Sequence, residues 1–178
     1  TAIKDASYAV LDLKTVGYTT TDLKPAYIPT ELKSTYSLLE IKQADYTVTA
    51  IKDAAYDLSE LKTVGYTTTE LKPAYNATEL KTEYSLSELK TAAFTSTEMK
   101  TAGYTATELK PEYALSELKT IGFTPAELKT AEYTLTELKA VNFTATNLKT
   151  DYSATELKAE YTLSDLKTAG FTSTEVKN

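Results

Sequence analysis

The residues best suited to chemistry are an acid and a lysine separated by one residue, as in Glu108 and Lys110, and this pair recurs along nearly the whole chain. Such pairs could supply an acid and a base in every repeat. Residues two apart on a helix do not face each other, however. Ala50 and Asn147 replace the acid without altering the residues around them. The pattern therefore favours a charge ladder, either solvated or between helices, over catalysis.

The composition lacks the side chains on which most site chemistry depends. Among the 178 residues there are 19 Lys but no Arg, His or Cys. Acid–base catalysis near neutral pH usually relies on His or a tuned carboxylate, and thiolate chemistry needs Cys. We therefore expect no enzyme activity, no catalytic residue and no cofactor.

The remaining acidic residues do not have the spacing of a calcium loop, which predicts that the chain has no dedicated metal site. They include Asp45, Asp57, Glu83, Glu112, Glu132, Asp151 and Glu160. The net charge of -6 argues against a nucleic-acid partner, because binding to nucleic acid requires clustered basic residues. No apolar run approaches the roughly 18 residues typical of a membrane span.

The acid and lysine belong to a short tandem repeat. Numbered from its aromatic residue, the repeat reads aromatic, Thr, variable, Thr or Ser, Glu, Leu, Lys, Thr, Ala, Gly. All 18 aromatic residues occupy the first position, all 19 Lys the seventh and all five Gly the tenth. Successive aromatic residues are ten or nine residues apart, so the repeats have two lengths.

Each repeat predicts one very short helix. Thr at the second position suits an N-cap, and Glu at the fifth completes a capping box. The aromatic residue and the Leu then stand at N′ and N4, the two positions of a hydrophobic staple. Gly at the tenth position suits a left-handed residue that ends the helix. In shorter repeats such as Lys72-Pro73-Ala74-Tyr75, the Pro predicts that helical geometry ends early, at Lys72.

Stacking must hold these helices together, because a helix of about eight residues is shorter than the roughly 12–15 residues that an isolated helix needs. We therefore predict an all-α solenoid, a superhelix of very short capped helices with one helix per 9–10 residues. A β-solenoid is the alternative, since Thr and Tyr favour strands. The capping pattern favours helices.

A longer period of 48 residues, containing five predicted helices, appears in the order of the repeat lengths. Steps of 10, 9, 9, 10 and 10 residues follow Tyr8 and follow Tyr56 again. We interpret residues 1–178 as a single continuous array. It consists of a partial repeat at 1–7 and blocks at 8–55, 56–103, 104–132 and 133–178.

The third position of the repeat is Leu or Val mainly in the first and fourth repeats of a block. These residues are Val10, Leu38, Leu58, Leu86, Leu115, Leu135 and Leu163. We expect only these helices to meet a second buried surface, with five helices completing one or two superhelical turns so that the Leu residues align along one side. Duplication without geometric meaning is the alternative.

Three kinds of side chain could bind a ligand or carry a modification. The Tyr residues could form a stacking track, although packing with the hydroxyl group reaching the surface is favoured. The Thr residues at the second, fourth and eighth positions could bind ice or carry O-linked sugars, and N-capping explains only the second. Asn76-Ala77-Thr78 and Asn142-Phe143-Thr144 match the N-glycosylation acceptor pattern, which makes Asn76 and Asn142 the candidate sites of glycan attachment.

The phrase AGYTATELK at 102–110, with relatives such as GYTTTELKPAY, resembles the decapeptide AG(Y/F)TxxELK arrays of very large repetitive proteins from microbes and giant viruses. The resemblance covers essentially the whole chain, although its nine-residue repeats depart from a strict ten-residue period. It implies a repeat type and no catalytic residues.

We predict a structural role from the repeat and its ends. The sequence starts and stops within repeats and lacks a polar capping repeat at either end, which leads us to expect self-association, end to end or lateral. The prediction is a segment or subunit of an elongated filament, extracellular or on a surface appendage. A monomeric scaffold that binds a protein or glycan along an extended face is the alternative.

Overall fold

The computed structural model describes residues 2–177, which form nineteen helices and no strand. The all-α prediction is confirmed, with one short helix per repeat and five helices per 48-residue block, and the β-solenoid is excluded for this part of the chain. The helices are α1 Ala2–Asp5, α2 Val10–Thr15, α3 Thr20–Leu23, α4 Pro29–Leu32, α5 Leu38–Gln43, α6 Val48–Asp53, α7 Leu58–Thr63, α8 Thr68–Leu71, α9 Ala77–Leu80, α10 Leu86–Thr91, α11 Ser96–Thr101, α12 Ala106–Leu109, α13 Leu115–Thr120, α14 Pro125–Thr130, α15 Leu135–Ala140, α16 Ala145–Leu148, α17 Ala154–Leu157, α18 Leu163–Thr168 and α19 Ser173–Lys177.

Helix starts follow the predicted capping box. Before α8, the Thr67 Oγ1 accepts from the Glu70 N–H at 3.3 Å, and the Glu70 Oε2 accepts from the Thr67 N–H at 2.7 Å. These two bonds satisfy backbone donors that have no partner inside a helix. The helices are shorter than expected, however, because a ten-residue repeat forms six helical residues and a nine-residue repeat forms four.

Ten-residue repeats end in a left-handed residue at the tenth position, as predicted. After α7, the N–H of Gly65 donates to Lys62 and the N–H of Tyr66 donates to Leu61, at 3.0 and 2.9 Å. This pair of bonds is a Schellman motif. Tyr66 therefore ends one helix and immediately precedes the N-cap of the next. We call the ninth and tenth positions together with the following aromatic residue a joint.

The left-handed conformation does not depend on glycine. Positive φ angles occur at all five Gly of the chain and also at Ser7, Asp45, Ala55, Ala93, Glu132 and Asn142. All of these residues occupy the tenth position. The spacing of the repeats therefore imposes the conformation, and Gly is the residue that adopts it at the lowest cost.

Nine-residue repeats end differently, and the expectation for Pro73 is wrong. Lys72 keeps helical dihedral angles, φ -50° and ψ -35°, although Pro follows it. Lys81, which Thr follows, has nearly the same angles and ends a helix of the same length. The number of residues to the next aromatic residue, and not the Pro, therefore sets where these helices end.

The chain forms two compact units, Thr1–Ala93 and Phe94–Asn178. In each unit a helix packs against the helix two places further along the chain. In the first unit α3 packs on α5, α4 on α6 and α8 on α10. In the second unit α12 packs on α14, α16 on α18 and α17 on α19. Sixth-position residues such as Leu61 and Leu128 form the core and are fully buried. The stack thus repeats every two helices, and not every two and a half or five as expected.

Within each unit the third-position Leu residues do not line one side. In the first unit Leu38 belongs to α5, which packs on α3, whereas Leu86 belongs to α10, which packs on α8. The best-buried third positions carry small residues, such as Thr20 at 5 % and Ala77 at 2 % exposure. Leu58 is only half-buried and Leu163 is 69 % exposed. Close approach of stacked helices favours a small side chain at the third position. This close approach also lets the Thr20 hydroxyl donate to the Glu40 carbonyl at 2.7 Å.

Candidate functional site

The seventh-position lysine makes the most regular contacts in each unit. The Lys52 ammonium lies 4.5 Å from the centroid of the Tyr75 ring, three repeats further along the chain. It donates to the Ala74 carbonyl at 2.8 Å and lies 2.6 Å from the Glu79 carboxylate. We call this arrangement of ammonium, ring face, joint carbonyl and, where present, carboxylate the lysine cage.

The lysine cage recurs in both units. In the second unit the Lys129 ammonium lies 4.1 Å from the Tyr152 ring centroid and 2.8 Å from both the Asp151 carbonyl and the Glu156 carboxylate. Nζ-to-centroid distances range from 4.1 to 5.6 Å. The pairs are Lys4–Tyr27, Lys14–Tyr36, Lys24–Tyr46, Lys33–Tyr56, Lys42–Tyr66, Lys52–Tyr75 and Lys62–Tyr84 in the first unit, and Lys100–Phe123, Lys110–Tyr133, Lys119–Phe143, Lys129–Tyr152, Lys139–Tyr161 and Lys149–Phe171 in the second.

The fifth-position acid has two roles. Glu156 accepts from the Ser153 N–H and hydroxyl at 2.7 and 2.8 Å, which starts α17, and it also accepts from Lys129. The hydrogen bond from Lys129, together with those from Ser153, lowers the pKa of Glu156 to about 2. The acid and lysine thus form a ladder between helices, as the sequence predicted, and each partner belongs to a different repeat.

The carboxylate is the dispensable member of the cage, which explains why Asn147 can replace the acid at the fifth position. Lys119 donates to the carbonyls of Val141 and Asn142 at 2.7 and 2.8 Å and lies 4.6 Å from the Phe143 ring centroid. The Asn147 side chain still accepts from the Thr144 N–H at 3.0 Å. Two carbonyls and a ring therefore hold the ammonium without an acid.

Tyrosine hydroxyl groups join repeats two apart, which corrects the expectation that they reach the surface. The Tyr36 hydroxyl donates to the Tyr18 carbonyl at 2.6 Å, and the Tyr84 hydroxyl donates to the Tyr66 carbonyl at 2.8 Å. Tyr161 bonds in the same way to the Phe143 carbonyl at 2.6 Å in the second unit. Burial, with nearby carboxylates adding to it, raises the pKa of Tyr46, Tyr66, Tyr84 and Tyr113 to about 12.

The rings are positioned for packing more than for stacking on a ligand. Most aromatic side chains are buried, and lysine ammonium groups cover their faces. The cation lies where the negative face of the ring attracts it. Buried Tyr56 and Tyr152 hydroxyl groups have no hydrogen-bond partner within residues 2–177. These two are exceptions to the hydroxyl bonding that Tyr36 and Tyr84 make.

The threonine positions divide into three environments. At the eighth position of several six-residue helices the hydroxyl donates to the carbonyl four residues earlier, for example Thr63 to Ser59 at 2.8 Å. This local bond gives the eighth position a structural role that the sequence did not reveal. Fourth-position residues, from Leu11 to Thr174, are exposed in every repeat. The expectation that this exposed Thr array binds ice or carries O-linked sugars stays a prediction.

Open grooves recur at the surface of both units. In the first unit a groove of about 470 Å³ is lined by Lys14, Tyr18, Thr21, Tyr36 and Glu40, among others. A groove of about 400 Å³ in the second unit is lined by residues at the same repeat positions, including Lys100, Tyr104, Thr107, Phe123 and Glu127. Each groove thus presents hydroxyl, charged and aromatic groups at a regular spacing.

The two candidate glycosylation sites are exposed. Asn76 is the N-cap of α9, and its Oδ1 accepts from the Glu79 N–H at 3.0 Å. Asn142 occupies a left-handed joint position with φ 61°, and its carbonyl accepts from Lys119. An attached glycan uses the side-chain nitrogen, so the cap at Asn76 needs only the oxygen that remains. Glycosylation of both residues stays a prediction.

Neither a metal-binding cluster nor a membrane-spanning helix occurs in residues 2–177. These residues contain no cluster of three His, Cys, Asp or Glu side chains arranged to hold a metal ion. None of the helices described is long and apolar enough to cross a membrane.

Comparisons with known proteins agree with the repeat pattern. Residues 112–178 match the model of the decapeptide repeat region family. No curated protein and no solved structure matches the chain. The repeats at 8–111 carry the same aromatic, Lys and capping positions as the matched residues. Residues 112–178 are therefore similar to a decapeptide repeat region, and the rest of the chain shares their repeat pattern.

Proposed function

We propose that this chain is a structural protein, a segment or subunit of an elongated filament held together by stacking of its short helices. The observation that carries the proposal is the lysine cage. Through it the lysine of one repeat contacts the aromatic ring that begins the third repeat after it and the backbone carbonyl just before that ring. Tyrosine hydroxyl groups add a second contact, to the repeat two positions earlier. Each repeat therefore depends on neighbours in both directions.

The direction of these contacts supports a filament. A lysine reaches forward and a tyrosine hydroxyl reaches backward, so the surfaces that meet are different from each other. Contacts between two different surfaces propagate and do not close into a pair. Stacked repeats also share their stability with their neighbours, which suits a protein whose role is to extend.

We place the filament outside the cell or on a surface appendage. Exposed Asn76 and Asn142 would be available to the secretory glycosylation machinery there. Mass spectrometry of peptides from the native protein tests this assignment. Glycans on either Asn residue support it, whereas unmodified Asn residues together with a cytoplasmic location by immunolabelling contradict it.

Cryo-electron microscopy of the purified protein tests the filament itself. We expect long filaments whose density shows each helix stacked on the helix two places further along the chain, as α4 stacks on α6. Dispersed particles of uniform, finite length at all protein concentrations would contradict the proposal.

The recurring grooves favour one other function, a scaffold that binds an extended glycan. Hydroxyl, charged and aromatic groups recur at the same repeat positions in both grooves, an arrangement that would suit an extended polymer with a regular repeat of its own. A glycan array distinguishes the two functions. Saturable binding that Thr21→Val and Thr107→Val weaken would support the scaffold, and these exposed threonines are not expected to affect filament formation.

A further inference from the structure

Lysines are the only residues of this chain after which a protease with an acidic specificity pocket can cut. The sequence has 19 Lys and no Arg, and every Lys occupies the seventh position of a repeat. Each candidate cleavage site is therefore the peptide bond between the seventh and eighth positions. A serine protease must take the lysine side chain into its pocket and the carbonyl oxygen of that bond into its oxyanion hole.

This peptide bond has a different environment in the two kinds of repeat. In the ten-residue repeat of Lys42 the bond lies inside α5, and the Lys42 carbonyl accepts from the Asp45 N–H at 2.9 Å. In the nine-residue repeat of Lys33 the helix ends at Leu32, so the bond lies outside it. Within the described residues, neither the Lys33 carbonyl nor the Ser34 N–H makes a hydrogen bond.

The second unit shows the same contrast. The bond between Lys129 and Thr130 lies inside α14, and the Lys129 carbonyl accepts from the Glu132 N–H at 2.9 Å. The bond between Lys149 and Thr150 follows the end of α16, and within residues 2–177 neither its carbonyl nor its N–H makes a hydrogen bond. Nine-residue repeats of both units thus present a peptide bond that does not hold a helix together.

The lysine side chain is also more accessible at Lys33 than at Lys42. Both ammonium groups lie 4.3 Å from a ring centroid, that of Tyr56 and that of Tyr66 respectively. Lys42 is half-buried and lies 3.6 Å from the Glu70 carboxylate as well, whereas Lys33 is exposed. A protease must draw the lysine out of its cage, and this step is easier at an exposed side chain.

Proline is confined to the eighth position of nine-residue repeats when it follows a lysine. It does so at Pro25, Pro73 and Pro111. Lys24 before Pro25 has φ -49° and ψ -38°, nearly the angles of Lys33 before Ser34, φ -52° and ψ -35°. This position accepts Pro because no hydrogen bond from its N–H is lost. A Pro here does prevent cleavage, since its ring crowds the nitrogen that must leave.

We propose that lysine-specific serine proteases cut the folded array at the nine-residue repeats that lack this proline, after Lys33 and after Lys149, and that Pro25 and Pro111 protect the equivalent bonds. Cleavage is a hydrolysis. The C–N bond between Lys33 and Ser34 breaks, the hydroxyl group of a water molecule joins the Lys33 carbonyl carbon, and the remaining hydrogen joins the Ser34 nitrogen. The inference goes beyond the filament role, because it assigns defined points at which the array is shortened.

Limited digestion of the folded full chain by trypsin, followed by mass spectrometry of the early fragments, tests the proposal. Fragments that begin at Ser34 and Thr150 are expected to appear at least roughly tenfold faster than fragments that begin at Gln43 and Thr130, because a bond inside a helix is cut only after the helix opens. Equal rates for the two kinds of repeat would overturn the proposal.

Unfolded chain provides the control for the preference of the protease itself. In urea, a lysine-specific protease that stays active there should release fragments beginning at Ser34 and at Gln43 at similar rates. A preference for Ser34 that persists unchanged in the unfolded chain would show that local sequence, and not the ends of the helices, selects the site, and would overturn the proposal.

Exchange of proline and serine between adjacent repeats supplies matched variants. Ser34→Pro should abolish the cut after Lys33 and leave the circular dichroism spectrum unchanged, because Lys33 already has the angles found before Pro25. Pro25→Ser should create a cut after Lys24 in the folded chain, at a rate within a few-fold of that after Lys33. A folded Pro25→Ser chain that resists cleavage after Lys24 would overturn the protective role of the proline.

Discussion

The joints at Ala55 and at Gly65 follow consecutive helices and both contain a left-handed residue, but their hydrogen bonding differs. Both residues are left-handed, with φ 52° and 84°, and lysines lie 4.3 Å from the aromatic rings of both joints. At Gly65 the next N–H, of Tyr66, donates to Leu61. In the described residues the Tyr56 N–H makes no such bond to Ile51, and the Tyr56 hydroxyl has no partner.

The difference shows that the stack imposes the shape of a joint even where the local residues do not favour it. A left-handed Ala costs roughly 1–2 kcal/mol, and a buried hydroxyl group without a partner adds a cost of roughly 1–3 kcal/mol. Burial of the core residues and the cage around Lys33 must offset these costs at Ala55.

Core truncation is expected to have the largest effect and to be similar beside the two joints. Ile51 before Ala55 and Leu61 before Gly65 are both fully buried. Ile51→Ala and Leu61→Ala should each lower the free energy of unfolding by about 2–5 kcal/mol. Urea unfolding followed by circular dichroism measures the change, with exposed Leu11→Ser as the control. A loss under about 1 kcal/mol at either site would contradict the stacking role of the sixth position.

Exchange of the tenth residue should have the next largest effect, with opposite signs at the two joints. Gly65→Ala is expected to lower the free energy of unfolding by about 1–2 kcal/mol, because Ala is strained at positive φ. A Cβ atom at Gly65 would lie 3.8 Å from the Lys42 Nζ, an ordinary contact, so the cost is conformational. Ala55→Gly is expected to raise the free energy of unfolding by about 0.5–1 kcal/mol, because relief of the strain at positive φ, roughly 1–2 kcal/mol, outweighs the extra entropy that Gly gains in the unfolded chain.

Thermal unfolding of both variants, alongside the double exchange, checks this prediction. If the joints are independent, the change in the free energy of unfolding of the double variant should equal the sum of the two single changes within a few tenths of a kcal/mol. Stabilisation by Gly65→Ala would show that the left-handed conformation is not required at that joint.

Removal of the tyrosine hydroxyl group should have a smaller effect, and only where the hydroxyl has a partner. Tyr84→Phe removes the bond to the Tyr66 carbonyl and is expected to cost about 1 kcal/mol. Tyr56→Phe removes a buried hydroxyl group without a partner and is expected to be neutral or stabilising. Phe at the first position of four other repeats shows that the ring alone fits. Midpoints of urea unfolding measure both changes, and an equal loss in the two variants would contradict the bonding difference.

Sequence alone predicts what lies within one repeat. The types and spacing of Thr67 and Glu70 predict the start of a helix, and Gly65 predicts the end of one. The left-handed Ala55 can be found only through its position in the repeat, because its residue type indicates helix. Local signals act over a few residues, so the start and end of a helix are the features that they define best.

Partners two and three repeats away could not be predicted in the same way. The charge ladder follows from the sequence, but the assignment of Lys52 to Tyr75 depends on the two-helix stack. The buried tyrosine hydroxyl bonds depend on it as well, which is why the expected surface position of these groups is wrong. Packing geometry, and not residue type, decides which of many identical residues meet.

Acidification should have the smallest effect, and it extends the comparison to a third joint, at Asp151 and Tyr152. The hydrogen bonds from Lys129 and then Ser153 lower the pKa of Glu156 from 4.5 to about 2. A carboxyl group whose pKa is lowered by folding stabilises the fold fully above its unfolded pKa. This contribution should therefore be lost as the pH falls from about 4.5 towards 2. The Glu156 side chain is 44 % exposed, so solvent screens the interaction and the effect on stability is small.

Nuclear magnetic resonance titration of Glu156 in the wild type and in Lys129→Met measures this effect. The variant removes the largest cause of the shift but keeps the Ser153 bonds, so the pKa should rise while staying below its ordinary value. Salt at about 1 M should also raise the pKa in the wild type, because it screens exposed ion pairs. A Glu156 residue that titrates at the same pH in the wild type and in Lys129→Met would show that the cage is held by the ring and the carbonyl alone, as it is at Lys119.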